Sequence, residues 1–173
     1  RYITLRLKNP KNSQKKYNQY DLVKLDITNK AEVMSLFKER LPCVVIHTAS
    51  LGNGDYCEKN REEAYKTNFI GTKNIVDACK FVGSKLIFAS SNAIFDGNNP
   101  PYDENSIPNP TNYYGQTKLD CERLIEKSGL NHCIVRLVLV YGWNDPQERK
   151  NPVTWIYDEL IKGEKIHKTP RRP

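Results

Sequence analysis

Three short runs, residues 43–49, 85–89 and 133–140, are apolar at nearly every position, and helix-patterned stretches lie between them. A strand exposed on one face alternates apolar and polar residues, so continuous runs read as strands covered on both faces, the habit of a parallel sheet. Two earlier stretches, 2–7 and 22–25, read as further strands. Residues 31–40 predict a helix capped by Thr28 or Asn29, with Val33, Leu36 and Phe37 facing inward. A long helix is expected after the Gly52-Asn53-Gly54 turn, with Ala64, Asn68, Gly71, Ile75, Ala78 and Val82 at helical spacing, and another from Tyr114 through Leu119, Leu124 and Ile125. Strands alternating with helices in this way predict an α/β fold with a doubly wound parallel sheet. Such sheets bind ligands beyond the C-terminal ends of their strands. Ala49-Ser50, Ser90-Ser91-Asn92 and Tyr141-Gly142 stand at those ends.

The rest of the chain narrows the function classes. Residues 9–19 are polar and read as a loop, residues 96–110 hold four prolines and predict a long ordered loop, and 143–151 is polar again before a helical stretch at 153–161. The net charge is +7, but the excess sits largely at the two ends, 8–16 and 162–172, without a nucleic-acid-binding motif, so solvated termini are expected rather than a nucleic-acid surface. No apolar run reaches the 18 residues that a membrane span needs. The five cysteines are scattered without a Cys-x-x-Cys pair and the three histidines are isolated. Buried, reduced thiols in a cytoplasmic protein are therefore expected, with no metal site.

Tyr114-Gly115-Gln116-Thr117-Lys118 carries the clearest chemistry. Residues four apart share a helix face, so the phenol and the ammonium point the same way. A nearby cation favours phenolate and is expected to lower the tyrosine pKa, fitting it for acid–base work near neutrality. The plain alternative is a surface aromatic beside a solvated lysine. Ser91, at a strand end, supplies a hydroxyl for a substrate carbonyl oxygen, or simply caps the strand.

These residues and several others in the same order resemble the extended short-chain dehydrogenase/reductases. Residues 45–50 are similar to that family's strand ending in Ala-Ala, and Asn68-Phe69-Ile70-Gly71-Thr72 to its Asn-x-x-Gly-Thr helix. Phe95-Asp96-Gly97, Pro101-Tyr102 and Pro108-x-Pro110, leading into Tyr114, resemble the branch of dTDP-4-dehydrorhamnose reductases and the methionine adenosyltransferase regulatory beta subunits.

The resemblance implies a Rossmann-like NAD(P)-binding domain over residues 1–142, with 143–173 beginning a substrate-binding region. Ser91, Tyr114 and Lys118 become the catalytic set. Asn68 supports the active-site backbone and a proton relay, or is an amide satisfied in a helix–helix contact, and the two roles are compatible. Asp26 and Ile27 are expected against the adenine, Ala49, Ser50 and Leu51 along the cofactor channel, Leu137 near the nicotinamide, and Asn92 and Phe95 facing the sugar. The family's glycine-rich pyrophosphate turn does not occur in the sequence, so its strand and helix are expected to precede Arg1. Arg6 and Lys8 at the end of the first strand, with no acid beside them, favour the 2′-phosphate of NADP(H) over NAD(H). Where the reductases commonly carry Thr-Asp, this chain has Ser91-Asn92, which keeps the hydroxyl and loses a carboxylate. The Asp-Glu pair of sugar-nucleotide dehydratases is replaced by Asn92-Ala93, which argues against dehydration.

Three functions follow from the resemblance. The first is an NADP(H)-dependent reductase of a nucleotide-linked 4-keto-6-deoxy sugar, acting alone or as a homodimer. The second is a regulatory subunit that binds a partner enzyme. The third is a sugar-nucleotide epimerase using NAD.

Overall fold

A computed structural model describes residues 2–6, 20–138, 140 and 152–163. The chain forms two compact units, 1–136 and 137–173. In the first, strand β1 (Tyr2–Arg6) pairs with β2 (Tyr20–Lys24), followed by helix α1 (Lys30–Arg40) and β3 (Val44–His47). Next come α2 (Gly54–Lys59), α3 (Arg61–Ala64), a π-helical turn (Tyr65–Ile70), α4 (Gly71–Val82), β4 (Lys85–Ser91), a 3₁₀ turn (Asn92–Ile94), α5 (Tyr113–Lys127) and β5 (His132–Leu137). The second unit holds helix α6 (Pro152–Ile161).

The fold is α/β, as the apolar runs predict. β4 lies between β3 and β5, and β3 runs parallel to it with Val44 opposite Lys85 and His47 opposite Phe88. Leu86 and Phe88 on β4 are buried with Ile75, Val76, Ala78 and Cys79 of α4, Val33, Leu36 and Phe37 of α1, and Cys121 and Ile125 of α5. Each large side chain removed from water in this cluster contributes about 1.5–3 kcal/mol, before conformational entropy is subtracted. Val44, Ile46 and Val135, on the alternate positions, are exposed. Strand 43–49 was expected to be covered on both faces; among the described residues one face is covered.

Other local expectations are also refined. β1 runs antiparallel to β2 in a separate two-stranded sheet, with Arg6 opposite Tyr20 and Tyr2 opposite Lys24. Asn29 rather than Thr28 caps α1, its side chain accepting from the amides of Ala31 and Glu32 at 3.2 and 3.3 Å. The single long helix after residue 54 is broken at Asn60 (φ −127°, ψ 56°), whose side chain donates to the Tyr56 carbonyl and ends α2. Cys79 is buried as expected, but Cys43 and Cys133 are exposed, Cys133 because it shares the uncovered side of its strand with Val135. The loop 9–19, the basic ends, residues 141–151 and the side chain of Arg6 lie outside the described residues.

Candidate active site

The site forms where α5 begins. Asn112 caps that helix, its side chain accepting from the Gly115 amide at 2.8 Å. Gly115 is fixed by sterics: a Cβ there would stand 2.9 Å from the carbonyl carbon of Ala93 and 3.1 Å from Cβ of Pro110, with the Ala93 oxygen nearer still. Only a residue without a side chain lets the first turn of α5 lie against the 3₁₀ turn after β4. That contact carries Tyr114 to the end of β4. Along β4, Ser90 is buried on the side of Leu86 and Phe88, whereas Ser91 is half-buried and reaches the tyrosine.

The Tyr114 phenol is half-buried and has the hydroxyls of Ser91 and Ser50 as hydrogen-bonding partners. The Ser91 oxygen also accepts from the Ala93 amide at 3.2 Å, so the capping role and the site role coexist, and its own proton remains to be donated. Lys118 is buried, and its Nζ donates to the Ala89 carbonyl at 2.8 Å while lying 4.8 Å from the Phe88 ring and 5.8 Å from the Tyr114 ring. The expectation that this lysine lowers the tyrosine pKa is not met in the structure. Burial raises the Tyr114 pKa above its ordinary value, and the opposing pull comes from the two serines. Lys118 itself is held below the ordinary lysine range by burial, against the partial support of Cys121 and Glu122.

Asn68 lies one turn of structure behind. Its side chain accepts from the Leu51 amide at 2.7 Å and donates to the Leu51 carbonyl at 3.1 Å and the Thr117 hydroxyl at 3.2 Å. Of the two expected roles, the structure shows support of the backbone beside the site: Asn68 pins the segment after β3 and ties it to α5. Thr117 in turn donates to the Tyr114 carbonyl at 2.8 Å. Asn68 occupies the π-helical turn, where a widened backbone ladder leaves carbonyls to find other donors, an irregularity common at functional sites. The Asn68 carbonyl accepts from the Thr72 hydroxyl at 2.5 Å and Cys121 Sγ at 3.3 Å. Since the Thr72 proton is spent there, its oxygen accepts from His47 Nε2 at 2.9 Å, which fixes that nitrogen as protonated. His47 is buried, and burial with the nearby Lys118 charge holds its pKa down to about 4. Gly71 of the same motif lies against Ile27, whose Cδ1 would be 2.6 Å from a Cβ there.

The remaining expected site residues divide. Ala49, Ser50 and Leu51 follow β3 and are half-buried beside the tyrosine's end of the sheet. Asp26 is exposed, with a side-chain oxygen accepting from the Thr28 amide and hydroxyl at 2.9 Å each. Ile27 is core instead of adenine wall: its side chain is buried, and its carbonyl accepts from Asn74 at 2.9 Å. The antiparallel pairing puts Arg6 at the far end of β1 from Lys24 and the following Asp26, so the structure does not bring these two together. Leu137 ends β5 and is partly exposed. Asn92 is exposed at the 3₁₀ turn. Phe95 was expected to face a sugar, but its ring stacks on Tyr102 (4.4 Å, 10°) with the Arg136 guanidinium 5.4 Å away, so it packs its own loop.

That loop is organised by Asp96, which accepts from Tyr102, the Asn98 amide and Asn109 at 2.6, 3.0 and 3.0 Å, and whose pKa these bonds hold down to about 2. A cavity of about 270 Å³ lies between this loop and α5, lined by Glu104, Ile107, Leu119, Glu122 and Arg136 among others. None of Ser91, Tyr114 and Lys118 lines it, and the convergent polar groups locate the chemistry better than cavity size does. Sequence reasoning had not singled out Gly115, Thr117, Cys57 or His47. The glycine in a helix's first turn was the one visible signal among them. Among the described residues no group of three or more His, Cys, Asp or Glu could hold a metal ion, and no helix is long and apolar enough to cross a membrane.

A tyrosine and lysine one helical turn apart, a serine at the adjoining strand end and an asparagine pinning the next loop define a Rossmann-like domain of the short-chain dehydrogenase/reductase type. Residues 6–167 match the RmlD substrate binding domain model, and the chain belongs to that family. It is 35% identical over 136 residues to methionine adenosyltransferase 2 subunit beta of Xenopus laevis, covering 79% of this chain and 40% of that protein. Among solved structures, it is similar to the dTDP-4-dehydrorhamnose reductase of Bacillus anthracis in complex with NADP, with 34% identity and a TM-score of 0.72 over 80% of this chain and 48% of that one. The UDP-glucose 4-epimerase of Thermotoga maritima with UDP-glucose gives 25% identity and a TM-score of 0.74 over 86% of this chain and 51% of that one. The chain thus spans about half, or less, of the length of these relatives.

Proposed function

We propose that the protein is an NADP(H)-dependent reductase of a nucleotide-linked 4-keto-6-deoxy sugar, of the dTDP-4-dehydrorhamnose reductase type, and that this chain carries its acid–base tyrosine. The observation that carries the reading is the convergence of Tyr114, Ser91 and Ser50 at the C-terminal ends of two adjacent strands, with Lys118 buried beneath them. The donor set suits the nicotinamide–ribose end of a dinucleotide. Lys118 has three N–H donors, of which Ala89 takes one. The half-buried segment at Ala49, Ser50 and Leu51 offers a wall whose backbone is held still.

When bound, the reduced nicotinamide supplies a hydride to C4 of the sugar. Ser91 donates its proton to the C4 carbonyl oxygen and orients it. Tyr114 transfers its phenolic proton to that oxygen as negative charge develops there. Lys118 steadies the resulting phenolate through its charge. NADP(H) is preferred because the reductase from Bacillus anthracis was solved with NADP, although epimerase neighbours from Brucella ovis and Thermus thermophilus were solved with NAD. Free thiols at all five cysteines fit a reducing cytoplasm. The test is NADPH oxidation by the full-length protein on dTDP- and UDP-linked 4-keto-6-deoxy sugars. Stoichiometric oxidation supports the reading, and NADPH binding without turnover on either sugar overturns it.

The similarity to a methionine adenosyltransferase subunit favours a second reading, in which the fold and site serve to bind a partner enzyme. Co-purification with a synthetase, together with absent turnover, selects it. An epimerase, for which the Thermotoga neighbour speaks, would interconvert sugars without net NADPH consumption.

A further inference from the structure

The Ser91 hydroxyl has one proton and, in the proposed reaction, two claims on it. Its oxygen already accepts from the Ala93 amide, so Ser91 reaches either the substrate oxygen or the Tyr114 oxygen with its single O–H, never both. Lys118 does not fill the gap, since its ammonium donates to Ala89 and lies on the ring face of the tyrosine, 5.8 Å from the centroid. Ser50 is placed to do so. β3 and β4 are neighbours in parallel register with His47 opposite Phe88, and Ser50 and Ser91 each stand three residues beyond that pair, one at the end of each strand. Both hydroxyls meet the same phenol.

Ser50 is also rigidly presented. The peptide that joins it to Leu51 donates its N–H to Asn68 Oδ1 at 2.7 Å, and the Leu51 carbonyl accepts from Asn68 Nδ2 at 3.1 Å and from Cys57 Sγ at 3.3 Å. The backbone on its C-terminal side is therefore clamped from α2 and from the π-helical turn, leaving the hydroxyl rotor as its movable part. From this juxtaposition we infer that Ser50 is a further catalytic residue, the hydroxyl that donates to the Tyr114 oxygen while Ser91 holds the substrate carbonyl. The inference rests on the reductase reading for its catalytic meaning, but the Ser50–Tyr114 bond exists with or without turnover.

The ionisable groups around the phenol are Cys57 from α2, Lys118 on α5 itself and, behind Lys118, His47 of β3 and Glu122. Burial keeps the Cys57 thiol neutral by raising its pKa, and His47 is neutral above about pH 4. Glu122 is paired with Arg136 at 2.9 Å. None of these replaces a hydrogen bond to the phenolate oxygen.

The experiment uses the full-length protein with ¹³Cζ-labelled tyrosine, in which the Tyr114 resonance is assigned by its loss in Tyr114→Phe. A hydrogen bond to a charged oxygen is worth enough that Ser50→Ala is expected to raise the Tyr114 titration midpoint by about one pH unit. Ser50→Thr, which keeps the hydroxyl, is expected to restore it. If Ser50→Ala does not fold, Ser50→Gly takes its place. Where turnover is measured, Ser50→Ala is expected to lower kcat roughly tenfold at neutral pH and shift the pH profile upward, with KM for the sugar within about twofold. A Tyr114 midpoint unmoved in Ser50→Ala overturns the inference, whatever the enzyme assay gives. A moved midpoint with no turnover on sugars sustains the bond and removes the reductase reading instead.

Discussion

Gly115→Ala is the most informative single perturbation of the site. The added methyl would lie 2.9 Å from the Ala93 carbonyl carbon and 3.1 Å from Pro110 Cβ, where carbon atoms settle at about 3.5–4.0 Å. Relief needs a displacement of roughly 0.6–1 Å, and the atoms in the way are backbone and a proline ring, which yield little. Overpacking of this kind costs about 1–3 kcal/mol. Alanine's better helix propensity returns at most about 1 kcal/mol, so the steric effect wins and a net loss of about 1–2 kcal/mol is expected. The functional effect is larger than the stability effect. Withdrawing the first turn of α5 moves Tyr114 away from Ser91 and Ser50 by a distance that costs about 10²-fold in rate. Chemical denaturation and NADPH-dependent turnover measure the two quantities on one preparation. Gly54→Ala is the control, because its Cβ would meet nothing nearer than Asn112 Oδ1 at 4.0 Å. A Gly115→Ala variant as stable and active as wild type would show that α5 does not need this close approach, and the account of how Tyr114 is positioned would fail.

Three other outcomes are expected. His47 has a folded pKa of about 4 against an ordinary 6.5, so the unfolded chain takes up the proton first as pH falls. Stability should therefore be unaffected by this group above about pH 6.5 and drop by about 3 kcal/mol as pH falls to about 4, a slope that His47→Gln flattens in denaturation measured across that window. Glu122→Ala leaves the Arg136 guanidinium without the carboxylate it bonds at 2.9 Å and should cost about 3 kcal/mol by thermal or chemical unfolding, part of which Glu122→Leu combined with Arg136→Met recovers. Asn68→Ala removes both bonds to Leu51, freeing the segment that holds Ser50, and is expected to weaken NADPH binding about tenfold in a fluorescence titration while the fold persists.

The parts of this molecule legible in the sequence were those that periodicity controls. The runs at 43–49 and 85–89 became parallel neighbours because buried strands need apolar residues on successive positions. The Tyr114–Lys118 spacing put both side chains on one side of α5, and Ser91 fell at a strand end as its position implied. What stayed hidden depends on contacts between distant segments. Nothing local to Asn68 reveals the π-helical turn, which is matched by the donors Thr72 and Cys121 on its carbonyl. Nothing local to Ile27 says that Gly71 will lie on it, so it read as a cofactor wall instead of core. The tyrosine's pKa was misjudged because spacing shows the lysine's proximity but neither the burial of the phenol nor the Ala89 carbonyl that engages the ammonium. Phe95 likewise has its ring engaged by Tyr102 and by Arg136, a residue far along the chain.

The central claim is that Tyr114 delivers the proton to a sugar carbonyl. Its most direct test is a comparison of wild type and Tyr114→Phe in the full-length protein, following NADPH oxidation on dTDP-4-keto-6-deoxy sugar alongside NADPH affinity. The account expects turnover to fall by roughly 10²–10⁴-fold while NADPH affinity holds within about twofold. A phenylalanine variant that turns over at the wild-type rate would contradict it.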